Sequence, residues 1–242
     1  MTTRYTYRNG LLTFYESSTA ESMPVGAPIL LYEEFLGTTL VAGATLWLAK
    51  DTHAEATEAN IADQHGGVMG LGIGVTDAEQ EAGLTMGNQL NLNLDKGFII
   101  EYVVALQTLP TLLTEIYFGV GDNYVKGRLA AADEGPLVHA MFMADGSGAI
   151  TIHTDDNGGE DNNAIATGVT VLAGIKHVFK IDFTTIGDVL FYIDGARVAS
   201  STGFSMANGT NVMVQPTMMV YKSAGAGLGD LYVDSVKVWS KR

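Results

Sequence analysis

Three segments in the last third of the chain alternate apolar and polar residues with a period of two, which leaves antiparallel β-structure as the regular element they fit. Over residues 176–183, His177, Phe179, Ile181 and Phe183 fall on one face, with Lys176, Lys180 and Asp182 on the other. Val189, Phe191 and Ile193 repeat the pattern, and Asp194-Gly195 follows at once, a pair that tolerates the positive φ of a tight hairpin turn. The closing run 230–240 alternates through Leu231 and Val233, loses phase at Ser235 and resumes with Val236 and Val238. A β-bulge is predicted there.

Further strands are predicted at 29–32, 45–49, 68–74, 89–94, 97–107, 114–119, 137–143, 149–154 and 213–222, each bounded by Gly, Asp or Asn clusters. Residues 54–63, with Ala, Glu and Asn and no apolar stripe, are the one short helix expected. Many strands with tight turns between them, in a chain with 29 Gly and 5 Pro, favour an all-β antiparallel sandwich over alternating β and α units. A length of 242 residues suits one such domain with a substantial core.

The N-terminus is organised differently. Residues 3–8 and 11–16 flank Asn9-Gly10, the strongest short hairpin signal. A two-residue turn pairs Arg8 with Leu11, Tyr7 with Leu12, Tyr5 with Phe14 and Arg4 with Tyr15. Tyr5, Tyr7, Leu12 and Phe14 then share one face, an aromatic patch that a two-stranded ribbon cannot bury by itself. The chain divides on this reading into residues 1–33, a hairpin arm with its connector, and residues 34–242, the sandwich.

The order of the last strands, from Gly174-Ile175-Lys176-His177-Val178-Phe179 through Phe191-Tyr192-Ile193-Asp194-Gly195 to Leu231-Tyr232-Val233-Asp234-Ser235-Val236-Lys237-Val238-Trp239, resembles the concanavalin A-like (laminin G-like) jelly-roll sandwich. The resemblance runs from Glu34 to Arg242. Versions of this domain without catalytic residues are common among bacteriophage virion proteins. What the resemblance implies is a structural virion protein, a capsid decoration (cement) protein on the outer head surface. Its partners would be the major capsid protein and neighbouring copies of itself, as a homotrimer. Arg4, Tyr5, Tyr7, Arg8, Leu12 and Phe14 are the expected capsid or subunit contacts.

Composition narrows the alternatives. A net charge of −14, with no basic cluster, repels nucleic-acid phosphates and anionic lipid, so neither nucleic acid nor membrane is an expected partner. Without cysteines there is neither a disulfide framework nor a thiolate metal site. The first residues lack the apolar run of a secretory signal, so the expectation is synthesis and assembly in a cytoplasm; the resemblance implies that this is a host bacterium's cytoplasm and that the chain ends on the virion surface.

The motifs that would carry chemistry are few. A Glu-x-Asp-x-x-Glu strand, which would set two carboxylates across a sugar bond, is absent, and Glu101 and Glu115 stand alone on their predicted strands. His53, His65, His139, His153 and His177 show no zinc-ligand spacing, and His177 reads as a hydrogen-bonded core or edge residue. Gly70-Leu71-Gly72-Ile73-Gly74 and Gly225-Ala226-Gly227-Leu228-Gly229 lack the helix and the Lys-Ser/Thr pair of a phosphate loop, and read as turns or a close-packed strand. Ser205 lacks the context of a nucleophile elbow. No enzymatic activity is expected from this inventory.

Two minor sites stay open. Asp155, Asp156, Asn157, Glu160 and Asp161 are either a solvated hairpin loop or oxygen ligands for Ca²⁺, and no other cofactor is expected. Asp122-Asn123-Tyr124 is the best match to a sugar contact, which would suit an alternative function: a lectin-like receptor-binding module of a tail fibre or adhesin that binds a host surface glycan.

Overall fold

The computed structural model describes residues 3–8, 11–16, 22–24, 29–36, 47–51, 53–61, 67–87, 89, 92–111, 113–123, 136–158, 161–209 and 212–240. The strands among them begin with β1 (Thr3–Arg8), β2 (Leu11–Glu16), β3 (Ser22–Pro24), β4 (Ile29–Glu33), β5 (Leu48–Asp51), β6 (Thr57–Asn60), β7 (Met69–Ile73), β8 (Gln80–Thr85) and β9 (Leu92–Asn93). They continue with β10 (Phe98–Thr108), β11 (Thr114–Gly121), β12 (His139–Ala144), β13 (Ala149–Asp155), β14 (Asp161–Thr170), β15 (Lys176–Asp182), β16 (Leu190–Ile193), β17 (Ala196–Arg197), β18 (Met213–Lys222) and β19 (Gly229–Ser240).

Two antiparallel sheets face each other. The first has the order β17-β16-β15-β10-β19-β7-β6, with β4 also paired to β19. The second runs β14-β13-β12-β11-β18-β8-β5, with β9 paired to β18. Alternation sends Ile100, Tyr102, Phe179, Ile181, Val236 and Val238 inward from the first sheet to meet Ile116, Phe118, Phe142, Met218 and Val220 from the second. A chain of ring contacts, Phe118–Phe179, Phe179–Phe142, Phe142–Phe191 and Phe191–Phe204, with centroids 4.9–5.3 Å apart, ties β11, β15, β12 and β16 together. The Tyr102 hydroxyl crosses the gap between sheets to donate to the Gly119 carbonyl.

The bulge in the closing strand is present. Val103 pairs with Ser235 and Val104 with Val233, so Asp234 is the extra residue, and its carboxylate reaches Lys176 Nζ at 2.6 Å. The N-terminal hairpin has the register deduced above, but β3 adds a third strand where a connector was expected. The turn residues Asn9 and Gly10 lie outside the described residues.

Elsewhere the expectations need correction. The described part of the helix expected over 54–63, residues 54–61, holds β6 instead, paired with β7 at the sheet edge; 62 and 63 lie outside the described residues. Backbone pairing there overrides the helix propensity of Ala and Glu. Of the strand expected at 89–94, residues 90 and 91 lie outside the described residues, and among the others Leu92–Asn93 pairs, followed by a single 3₁₀ turn over Leu94–Lys96 with Asn93 Oδ1 accepting from Asp95 N. Strands β8 and β14 were not anticipated at all.

Candidate functional site

The second sheet has a face turned away from the core, and it is chemically unusual. Along β11, Ile116, Phe118 and Val120 point inward, which leaves Glu115, Tyr117, Gly119 and Gly121 for the opposite face. Tyr117, Met141, Met143, Met219 and Tyr221 pack there as a second apolar cluster, separate from the main core. Register aligns Glu115 with Tyr221 across β11 and β18, and Tyr221 with Glu81 across β18 and β8. Two carboxylates therefore flank one tyrosine on three adjacent strands, their backbones about 10 Å apart by ordinary strand spacing.

All three side chains are buried, Glu81 at 1%, Glu115 at 4% and Tyr221 at 4% exposure. Burying carboxylates costs free energy unless other groups hold them, so the row is a specific arrangement rather than a solvated surface. Tyr221 donates its hydroxyl to Glu79 Oε1 at 3.1 Å, and the Tyr117 hydroxyl lies 2.8 Å from Met219 sulfur. Burial pushes the Tyr117 phenol well above its ordinary range, reinforced by the charges of Glu81 and Glu115 and by Tyr221.

Two histidines occupy the other end of this face. His139 Nδ1 lies 2.7 Å from the Pro136 carbonyl, which can only accept, so Nδ1 carries the proton. His153 sits diagonally across from it, with Nε2 3.2 Å from Thr151 Oγ1. Burial depresses both; His153 falls to about 4, His139 adding to the effect and a hydrogen bond with Asn163 opposing it. Both rings are neutral at pH 7.

The residues singled out in the sequence fall as follows. Arg4, Tyr5, Tyr7 and Arg8 lie on β1 and Leu12 and Phe14 on β2, in the deduced register. Asp122 follows β11, is buried, and donates its backbone N–H to the Val138 carbonyl; Asn123 is half-buried and Tyr124 lies outside the described residues. Asp155 Oδ1 accepts from Asn157 N at 2.6 Å, while Asp156 accepts from Gly158 N at 2.8 Å and Asn208 N at 3.1 Å. These carboxylates cap their own turns, Asp161 opens β14, and Glu160 lies outside the described residues. Among the described residues no three acidic or histidine side chains gather as metal ligands.

His177 behaves as read: its Nδ1 is 2.7 Å from Asp194 Oδ2 and its ring meets Phe179 edge-on. The glycine run of β7 is a close-packed strand. A Cβ at Gly70 would strike Ile61, one at Gly72 would strike Asp230, and one at Gly74 would strike Glu55. Glu81 is the residue that sequence reasoning missed. Its signal was present in β8, where Ala82 and Leu84 alternate with Glu81, Gly83 and Thr85.

The sequence matches no known protein family, and no curated protein resembles it. Solved structures do share its architecture. A protein of unknown function from Shewanella oneidensis MR-1 superposes with a TM-score of 0.58 at 10% identity, over 87% of this chain and 85% of its own. The GH16 protein of the Bacteroides ovatus mixed-linkage glucan locus, solved with its G4G4G3G product, gives 0.57 at 11% identity, over 87% of this chain and 100% of its own. The Emp47p carbohydrate recognition domain gives 0.52 at 8% identity, over 86% and 93%. The chain thus has the concanavalin A-like jelly-roll fold, shared by lectin domains and glucanases.

One expectation is overturned here. An absence of enzymatic activity does not follow from the missing Glu-x-Asp-x-x-Glu strand, because a structure caught with its reaction product has this same fold. The two buried glutamates also show that carboxylates can be gathered across strands rather than along one.

Proposed function

We propose that this chain is a structural protein of a bacteriophage virion, a capsid decoration protein attached through its N-terminal sheet. The observation that carries the reading is that, among the described residues, β1, β2 and β3 pair with one another as a separate three-stranded sheet ahead of the sandwich. Residues 1–33 act as the arm, stitched to the sandwich by β4, and residues 34–242 form the displayed body. The resemblance of the closing strands to phage laminin G-like domains points the same way. The partners are the major capsid protein and further copies of this chain, and the site of action is the outer head surface. Removing residues 1–24 should leave the sandwich folded and abolish co-sedimentation with particles. Full occupancy by the truncated chain would refute the reading.

The Glu115–Tyr221–Glu81 row favours a second reading, a carbohydrate-directed module that engages a host surface glycan. Aromatic and carboxylate side chains on one sheet face are what stacking on a sugar and bonding its hydroxyls require. Because those side chains are buried, a glycan reaches them only by displacing what packs over them. Hydrogen exchange in β11 and β18 should therefore change when an oligosaccharide binds, and Tyr221→Ala should remove that change. Exchange unaltered across a panel of oligosaccharides argues against this reading.

A further inference from the structure

On the face of the second sheet turned away from the core, some buried polar groups are held by their neighbours and a few are not. Alternation along β12 and β18, whose Ala140, Phe142, Met218 and Val220 enter the core, puts His139 and Thr217 on this face. There Gln215 Oε1 accepts from Met86 N at 2.9 Å, and His153 Nε2 is 3.2 Å from Thr151 Oγ1. His139 Nε2 and Thr217 Oγ1 differ from these. Both atoms are buried, in residues 6% and 1% exposed, and neither has a hydrogen-bond partner among the described residues. Asn123 Oδ1, two residues beyond the Gly121 that pairs with His139, is a third such atom. Desolvated polar atoms cost free energy unless something fills their bonding capacity, so three of them in one region point to a ligand.

Register places these atoms around one strip. Gly119 pairs with Thr217 on β18 and Met141 on β12, and Gly121 pairs with Gln215 and His139. Two glycines at alternate positions of β11 therefore put no side chain between β18 and β12, which stand about 10 Å apart. Pro136 lies against Gly121, so a ligand reaches the strip by displacing that cover. The donor sense is fixed as well: His139 Nδ1 gives its proton to the Pro136 carbonyl 2.7 Å away, so Nε2 offers a lone pair and requires a donor. The charges around the ring are Asp122, which follows β11, Asp155, paired with His139, and Asp161, paired with Asp155. Among the described strands of this sheet the lysines are Lys50, on β5 four strands or about 19 Å from β12, and Lys222, held by the carbonyls of Gly74, Thr76 and Gly227. A sugar hydroxyl suits such a site. A carboxylated sugar brings a charge that no cation there balances.

We propose that His139, Thr217 and Asn123 form a subsite for an uncharged, hydroxyl-rich sugar, and that this end of the face rejects uronic and sialic acids. The inference rests on the reading of this face as a carbohydrate site. It adds which end grips the sugar and which sugars are admitted.

The test uses the full chain and begins with Thr217→Val, which removes the hydroxyl and keeps the shape. A hydroxyl held ready for a ligand does not stabilise the free chain, so the melting temperature should stay level or rise. Calorimetric titration with gluco-, manno- and galacto-oligosaccharides should show binding that this variant weakens about tenfold, the loss of one hydrogen bond. Uronate-containing and sialylated counterparts should not bind. In imidazole nitrogen NMR a bound neutral sugar should shift the His139 Nε2 resonance while Nδ1 keeps its proton. A lower melting temperature for Thr217→Val would mean that the hydroxyl is satisfied within the folded chain, and would overturn the proposal. A charged sugar binding as tightly as its neutral parent, or a His139 resonance unmoved by the bound sugar, would do the same. If sugars bind with the Tyr221-dependent exchange change and Thr217→Val binds like the native chain, this inference fails and the carbohydrate reading stands. If Thr217→Val weakens binding and Tyr221→Ala does not, the Glu115–Tyr221–Glu81 row is not the site and the His139 subsite is. Binding by no sugar of the panel overturns both.

Discussion

The two outward faces of the sandwich obey the same alternation and meet opposite fates. On the first sheet, register lines up Tyr32, Lys237, Glu101, Lys180, Tyr192 and Arg197 across six strands. Lys237 Nζ lies 4.7 Å from the Tyr32 ring centre and Lys180 Nζ 4.0 Å from that of Tyr192. These are long side chains with charged ends in water, where opposite charges and cation–π contacts add little. On the second sheet the equivalent row is Glu115–Tyr221–Glu81, and it is buried. Tyr and Glu thus stand in a solvated ladder among basic residues on one side, and in a desolvated cluster whose row holds no basic residue on the other. Burial and the difference in cations together separate them.

That contrast predicts a large difference in mutational cost. Tyr117→Ala should destabilise by roughly 3–5 kcal/mol, the usual cost of deleting a buried aromatic side chain. Lys180→Ala, on the first sheet, should stay within about 1 kcal/mol. Denaturant midpoints measure both, and equal costs would erase the distinction between the faces.

The next effect is smaller and depends on pH. His153 is depressed to about 4 by burial, so the folded chain binds fewer protons than the unfolded one between pH 4 and 6.5. Its contribution is fully present above pH 6.5 and is lost as pH falls toward 4, a change of roughly 2–3 kcal/mol. His153→Gln should flatten the acid limb of a melting-temperature profile. An unaltered limb would mean that His153 is not desolvated.

Glu58 should act in the reverse sense and more weakly. It is pushed up to about 7, first by burial and then by Asp51, with the Gly83 N–H opposing and Glu81 adding to the rise. A carboxyl raised in the folded state favours the native chain at low pH, and that advantage is lost as pH rises from about 4.5 through 7. With solvent screening at this half-buried position the effect is roughly 1 kcal/mol. Glu58→Gln should raise the melting temperature at pH 8 and leave it unchanged at pH 4.5.

What the sequence revealed follows from which information is local. The faces of β15 and β16, the bulge beside Ser235 and the register of β1 on β2 are written in consecutive residues, and all three are read directly from it. Strand β14 is not, because its pairing with β13 is interrupted by two register shifts and includes Ala164 and Gly168 at positive φ. Its alternation is broken and its polar start reads as a loop. The row of Glu115, Tyr221 and Glu81 was beyond reach for another reason. Each residue is ordinary within its own strand, and only the order β11-β18-β8 brings them together. A search for catalytic carboxylates along a single strand cannot find a set assembled across three.

The central claim is that the N-terminal sheet fastens this chain to a phage head. A cryo-EM reconstruction of the particle tests it most directly. The account predicts jelly-roll density on the outer head surface, in many copies, with β1–β3 forming the contact. Its absence from the head, or attachment through the sandwich with the N-terminal sheet turned away from the particle, would contradict it.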